Sequence, residues 1–124
     1  QSGLPRARLM GRPFYVNDSA GAVDALQRLG SEAPKRLIVE DPTRPLPESS
    51  EVKGSAGIVR DLPEEVSVVT DSSTAAYLLL ADTYDPGWSA SVDGNPAAIR
   101  PAYAAFRAVL VPAGPHVVNF SYRR

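Results

Sequence analysis

Cysteine is absent from this chain of 124 residues, and histidine occurs only once, as His116. The lack of cysteine excludes disulfides and thiolate chemistry, and a single histidine excludes a multi-histidine metal site. The chain also lacks an excess of either sign of charge, because 13 basic and 14 acidic residues give a formal net charge of −1. We therefore expect no cofactor and no metal, and no electrostatic attraction to nucleic acid or to an anionic membrane surface.

Long apolar runs are missing as well. No stretch approaches the roughly eighteen apolar residues that a membrane-spanning helix needs, and residues 1–3 do not resemble a signal peptide. Hydrophobic residues make up 44% of the chain and charged residues 22%, as in an ordinary globular protein. A chain of this length forms one core, so we predict a single domain over residues 1–124.

Residues 4–41 have the pattern of a strand, a helix and a strand. The helix is predicted at residues 20–29, after capping side chains at 17–19 and before Gly30. Its predicted apolar stripe consists of Ala22, Val23, Ala25, Leu26 and Leu29. Three prolines then fall within residues 42–53 and predict a loop, because proline cannot continue a strand ladder.

Residues 54–124 consist of short segments with strand-like alternation, separated by the turn sequences DPG, DG and PAGP. Trp88, Ala90 and Val92 alternate with polar residues. In the last segment His116, Val118, Phe120 and Tyr122 share one face. The pattern predicts a mainly β fold for this core region: an antiparallel β-sandwich, immunoglobulin-like or jelly-roll-like, preceded by one short N-terminal α-helix.

Two segments of this region have a predicted position in their sheet. Residues 77–81 are apolar throughout, which predicts a central strand with both faces covered. Pro96 follows the DG turn and lacks a backbone donor. The returning strand should therefore begin after Pro96 or lie at a sheet edge.

The run LLLADTYDPGWSASVDG, followed by AFRAVLVPAGPHVVNFSYR, resembles the C-terminal soluble region of the YfhO family of bacterial polytopic membrane proteins. The shared pattern is a hydrophobic strand, then tyrosine, proline, glycine and tryptophan, an aspartate-glycine turn, a phenylalanine-arginine strand, a proline-alanine-glycine turn, histidine and a closing aromatic strand. The resemblance is close over residues 75–124 and extends to the earlier residues only in general layout. The chain departs from the pattern at Tyr103, where much of the family has asparagine.

The resemblance implies an extracytoplasmic domain on the bacterial cell membrane, with membrane helices outside this sequence. Its partner would be the membrane-embedded remainder of its own parent chain, a lipid-linked-sugar glycosyltransferase whose catalytic acid lies on a loop between membrane helices. The chain itself would then be a non-catalytic accessory domain that binds or positions a glycan or a lipid-linked sugar. A free-standing carbohydrate-binding or adhesion module is the alternative.

A candidate ligand-binding rim consists of Tyr84, Trp88, Tyr103 and Arg107. Aromatic faces suit the apolar surface of a sugar ring, and a fixed positive charge suits a glycan or its phosphate carrier. A lone tryptophan at the start of a strand is more often a core residue in β-sandwiches, and that alternative for Trp88 stays open. Tyr84 lies nearer the turn and is the better candidate for exposure.

Catalytic patterns are weak in this sequence. Asp82, Asp85 and Asp93 suggest a two-carboxylate glycosidase, which needs two facing acids roughly 5 to 9 Å apart. The last two precede proline and glycine, where turns favour aspartate. The hydroxyl residues at 72–74 have no nearby histidine or lysine in the sequence and no nucleophile-elbow motif. We therefore expect no catalytic residue, and a small hydrolase is the most distant hypothesis.

Overall fold

The computed structural model describes residues 6–31, 36–47 and 51–123. The parts of the predicted domain, lead-in, loop and core region that fall on residues 1–5, 32–35, 48–50 and 124 lie outside the described residues. Over these ranges the chain forms eleven β-strands and one α-helix. The elements are β1 (Ala7–Met10), β2 (Phe14–Tyr15), α1 (Ser19–Leu29), β3 (Ile38–Val39), β4 (Gly54–Leu62), β5 (Glu65–Ser72), β6 (Ala76–Thr83), β7 (Trp88–Val92), β8 (Asn95–Ala97), β9 (Arg100–Ala102), β10 (Phe106–Val111) and β11 (Gly114–Tyr122).

The strands form two sheets that pack face to face. Sheet A contains six strands in the order β1-β6-β10-β9-β3-β2, and sheet B contains five in the order β4-β5-β11-β7-β8. Paired strands are antiparallel except for β2 and β3, which are parallel. The predicted β-sandwich with one short N-terminal helix is confirmed.

The core between the sheets comes from alternate residues of each strand, because successive side chains point to opposite faces. Trp88, Ala90 and Val92 all pack into this core, as their alternation predicts. On β11, Val118 and Phe120 are fully buried while Val117 is 45% exposed on the outer face. The other fully buried members are Val66, Val68, Leu78, Leu80, Val109 and Val111.

Strand β6 lies between β1 and β10 and is covered on both faces, as its continuous apolar run predicts. Leu78 and Leu80 face sheet B, whereas Tyr77 and Leu79 belong to a second apolar cluster on the opposite side of sheet A. Pro96 lies in β8, the edge strand of sheet B. An edge strand has a neighbouring strand on one side only, so the backbone N–H that Pro96 lacks is not needed for a further strand.

Helix α1 covers part of the outer side of sheet A through Ala22 and Ala25, which contact Ile38 of β3. Its amino end is capped by Asp18, whose Oδ1 accepts a hydrogen bond from the Gly21 N–H at 2.8 Å. The helix is confirmed, but the inclusion of Val23 in the apolar stripe is wrong, because Val23 is 47% exposed. Successive helical residues are about 100° apart, so a residue next to Ala22 points away from the buried face.

The described part of the proline-rich segment is fastened to sheet A by a buried carboxylate, Asp41, which is 4% exposed. Its Oδ1 accepts hydrogen bonds from the N–H and hydroxyl of Thr43, and its Oδ2 accepts one from the Tyr77 hydroxyl at 2.7 Å. Burial alone would raise the pKa of Asp41, but the hydrogen bonds from Tyr77 and Thr43 outweigh it and the pKa is lowered. The buried, charged Asp41 carboxylate therefore links the loop to sheet A.

Candidate ligand-binding site

At one end of the sandwich the inward-facing positions change from apolar to polar or charged. On β6, Asp82 follows Leu80 by two residues and so lies on the same face. On β10, Arg107 precedes the buried Val109 by two residues. The apolar core thus ends in a layer of charged side chains at the end of the sandwich that carries the β6–β7 turn.

Arg107 is the deepest charged group of this layer and is 4% exposed. Its Nε donates a hydrogen bond to the Thr83 carbonyl oxygen at 2.9 Å, and its guanidinium carbon lies 3.9 Å from the centre of the Trp88 ring. Its Nη1 is buried and has no hydrogen-bond partner, with Oδ2 of Asp82 at 3.7 Å. Burial lowers the pKa of Arg107, although arginine remains protonated in proteins. The site therefore contains a buried cation with one unused donor.

Arg6 joins the two sheets above Arg107. Its Nε and Nη2 donate to the two carboxylate oxygens of Asp82 at 2.8 and 2.6 Å, and its Nη1 donates to Oδ2 of Asp61 at 2.5 Å. The hydrogen bond with Asp82, and then the one with Asp61, raises the pKa of Arg6. The exposed fraction of the side chain increases from 5% for Arg107 through 20% for Asp82 and 38% for Arg6 to 51% for Asp61. The four groups thus run from the floor of the site to its rim.

Trp88 forms a wall of the site as well as a part of the core. The Arg107 guanidinium occupies one face of the indole, and the Tyr122 ring lies beside it with the two ring centres 5.3 Å apart. Gly87 allows this arrangement, because a Cβ there would lie 2.6 Å from a ring carbon of Tyr122. Trp88 is half-buried and packs on the inter-sheet core, as the core alternative predicts, and its role in ligand binding stays a prediction.

These side chains enclose a cleft of about 390 Å³, lined by Arg6, Asp61, Leu62, Pro63, Val66, Asp82, Trp88 and Arg107. A second cleft of about 310 Å³ adjoins it and shares Pro63, Trp88 and Arg107. Small-molecule sites have volumes of roughly 300–1,000 Å³ and combine apolar walls with a few polar groups. The first cleft falls within that range in volume, but half of its lining residues are charged, so it is more polar than such sites usually are.

The structure brings together two of the four residues predicted for the rim, Trp88 and Arg107. Tyr84 lies in the β6–β7 turn beside the site, where it is half-buried and its N–H donates to the Ala105 carbonyl at 2.7 Å. It is not among the residues that line either cleft. The backbone hydrogen bond of Tyr84 therefore stabilises the turn.

The prediction that Tyr103 joins this rim is not met. Its hydroxyl donates to the Arg36 carbonyl oxygen and its ring packs in the two clusters on the helix side of sheet A. Tyr103 and Ala104 both have left-handed backbone angles, φ 53° and 63°, in the turn before β10. This is a conformation that asparagine adopts more readily than tyrosine. The tyrosine ring is retained there by burial, which also raises the pKa of Tyr103 to about 12.

Three charged members of the site, Arg6, Asp61 and Asp82, were not among the residues predicted for the rim. Arg6 lies next to a strand that pairs with β6 across more than seventy residues of chain, so no local pattern marks it. Asp61 is obscured by an irregularity between Ile58 and Arg60, which shifts the register of β4 against β5. Continued alternation from Leu80 would have placed Asp82 on the inward face.

The three acids considered for a glycosidase pair have separate partners. Asp82 binds Arg6, and Oδ1 of Asp85 accepts a hydrogen bond from the Gly87 N–H at 2.8 Å within the turn. Asp93 lies at the opposite end of the sandwich, where its Oδ2 is 2.5 Å from Nδ1 of His116. That contact raises the pKa of His116 and lowers the pKa of Asp93. Asp85 and Asp93 thus belong to the turns in which they lie, whereas Asp82 lies on β6 and pairs with Arg6.

Over residues 6–31, 36–47 and 51–123, no group of three or more histidine, aspartate or glutamate side chains is arranged to hold a metal ion. Nor does any helix in these ranges have the length and apolar character to cross a bilayer.

The residues of the cleft are the direct evidence for its chemistry. Comparisons of the chain with protein-family models, with curated proteins and with solved structures found no match.

Proposed function

We propose that this chain is a non-catalytic binding module that holds a glycan or a lipid-linked sugar in the cleft between Arg6, Asp82, Trp88 and Arg107. The observation that carries the proposal is Arg107, a residue of the cleft lining whose buried Nη1 has no hydrogen-bond partner. A buried polar group without a partner costs about 1–3 kcal/mol. Such a group requires an explanation, and a ligand in the cleft would supply the missing partner.

The chemistry of the cleft supports a sugar as the ligand. Carboxylates and guanidinium groups form planar pairs of acceptors and donors, which match the neighbouring hydroxyls of a sugar ring. Trp88 adds an apolar wall of the kind that the C–H surface of a sugar contacts. A small sugar in an open cleft buries little area, so we expect an affinity near the millimolar end of the scale, about 4 kcal/mol.

The resemblance of residues 75–124 to the YfhO family supports a particular setting for this activity. In that setting the chain is an extracytoplasmic accessory domain at the bacterial cell membrane, and its partner is the membrane-embedded remainder of its own parent chain. The module would position a glycan or acceptor for a glycosyl transfer that occurs elsewhere in the parent. Membrane helices encoded next to this stretch would support that setting, whereas their absence would favour a free-standing carbohydrate-binding or adhesion module.

Titration followed by NMR tests the binding site. Short glycans and soluble analogues of lipid-linked sugars should shift the Trp88 indole and Arg107 Nε signals, and Arg107→Met should abolish the shift of the Trp88 indole. Arg28→Met is a matched control, because Arg28 lies on α1 and is 75% exposed. Shifts confined to the opposite end, around Asp93 and His116, would disprove the site. Turnover of a sugar substrate by the isolated chain would disprove the non-catalytic role.

A further inference from the structure

The position of the unused donor limits which chemical groups can enter the cleft. Nη1 of Arg107 is buried and lies 3.7 Å from Oδ2 of Asp82, so a ligand atom reaches this donor only when Arg6 withdraws from the carboxylate, and it then lies beside both groups. Toward Arg107 the ligand group must accept a hydrogen bond, because arginine has no acceptor. Toward Asp82 it must donate one, because an ionised carboxylate is an acceptor only.

A hydroxyl meets both requirements, since it is a donor and an acceptor at once. A phosphate or a second carboxylate accepts hydrogen bonds but brings negative charge to Asp82 and Asp61, which is unfavourable in a partly buried site. An ammonium group donates hydrogen bonds but has no acceptor for Arg107 and carries the same charge. Each charged alternative therefore conflicts with one member of the pair.

The overall charge of the lining leads to the same conclusion. Arg6 and Arg107 contribute two positive charges and Asp61 and Asp82 contribute two negative charges, so the charged residues of the cleft are balanced. A balanced site exerts little net attraction on an ion, and it gains hydrogen bonds without a charge penalty from a neutral polar group.

We infer that the cleft binds an uncharged sugar ring through two neighbouring hydroxyls held between Asp82 and Arg107. This inference rests on the proposed function and names the ligand group of the same site. Arg6 is the side chain that shifts: it releases both oxygens of Asp82 but keeps its hydrogen bond to Asp61, so its positive charge stays at the cleft. The Arg6–Asp82 pair is bidentate and partly buried, so its loss has a cost, which the hydrogen bonds of the diol to the same two oxygens offset and which keeps the affinity low.

The test compares three small probes on the intact chain by NMR: a methyl glycoside with a pair of neighbouring hydroxyls, methyl phosphate, and methylammonium. We expect the glycoside to shift the Arg107 Nε signal with an affinity at least about tenfold higher than either ion. Because the ligand is neutral, its affinity should change less than about twofold between roughly 20 and 200 mM salt.

Two variants make the comparison sharper. Asp82→Asn should weaken glycoside binding about tenfold, because one acceptor oxygen is lost, and it should improve methyl phosphate binding, because a repelling charge is removed. Asp71→Asn is the matched control, since Asp71 is exposed at the other end of β5. Unchanged glycoside binding in Asp82→Asn would overturn the inference.

The outcomes separate this inference from the function on which it rests. Methyl phosphate binding as tightly as the glycoside, and weakening as salt is added, would overturn the neutral-diol inference but leave a binding module for the phosphate of a lipid carrier. If no probe, glycan or carrier analogue shifts the Arg107 signal, both the inference and the proposed function are overturned.

Discussion

The replacement Arg107→Met tests whether Arg107 is kept for binding or for stability. The change removes a hydrogen bond from a charged donor to the Thr83 carbonyl, worth about 1.5–3 kcal/mol. It also removes the contact with the Trp88 ring, worth about 0.5–2 kcal/mol. Against these losses, methionine fills a similar volume and ends the desolvation of a buried cation, which costs several kcal/mol. Asp82 loses the Arg107 nitrogen at 3.7 Å but keeps both hydrogen bonds from Arg6, so no carboxylate is left unpaired.

Because the two sets of terms are of similar size, we expect the free energy of unfolding of Arg107→Met to lie within about 1 kcal/mol of the native value. Denaturation in urea, followed by far-UV circular dichroism, measures this difference. Phe120→Ala calibrates the assay, since Phe120 is fully buried and its truncation should cost about 3–5 kcal/mol. If the free energy of unfolding falls as much for Arg107→Met as for Phe120→Ala, Arg107 is a structural residue and no ligand is needed to explain its burial.

Two further predictions concern other polar contacts. Tyr77→Phe removes the hydroxyl that donates to buried Asp41, so it should lower the free energy of unfolding in urea by about 1–3 kcal/mol; no measurable loss would mean that water replaces the hydroxyl. The contact of His116 with Asp93 should make stability depend on pH. Since the pKa of His116 is raised, its contribution is complete below about pH 6.5 and is lost as the pH rises through the folded-state value. Since the pKa of Asp93 is lowered, its contribution is present above about pH 3.9 and is lost as the pH falls through its folded-state value. The difference in melting temperature between the native chain and His116→Gln should thus be largest between about pH 4 and 6.5, and a difference independent of pH would refute this account.

Local patterns in the sequence were sufficient for the fold class. Alternation with a period of two determines which side chains of a strand face the core, and this placed Trp88, Ala90, Val118 and Phe120 correctly. The helix was identified by its capping residues and by the glycine at its end, which are also local signals. Turn residues and alternation act over a few neighbouring positions, so they can be recognised without knowing which strands are paired.

The composition of the site was decided by tertiary structure. Arg6 meets Asp82 only because β1 pairs with β6, and Asp61 joins them only because β4 ends beside β1 at the same end of the sandwich. Tyr103 was lost from the predicted rim because two left-handed residues before β10 place its side chain on the helix side of sheet A. The sequence by itself determined which faces are buried, since that depends on local period. Only long-range strand pairing decided which charged residues meet at the open end, because these contacts join segments far apart in the chain.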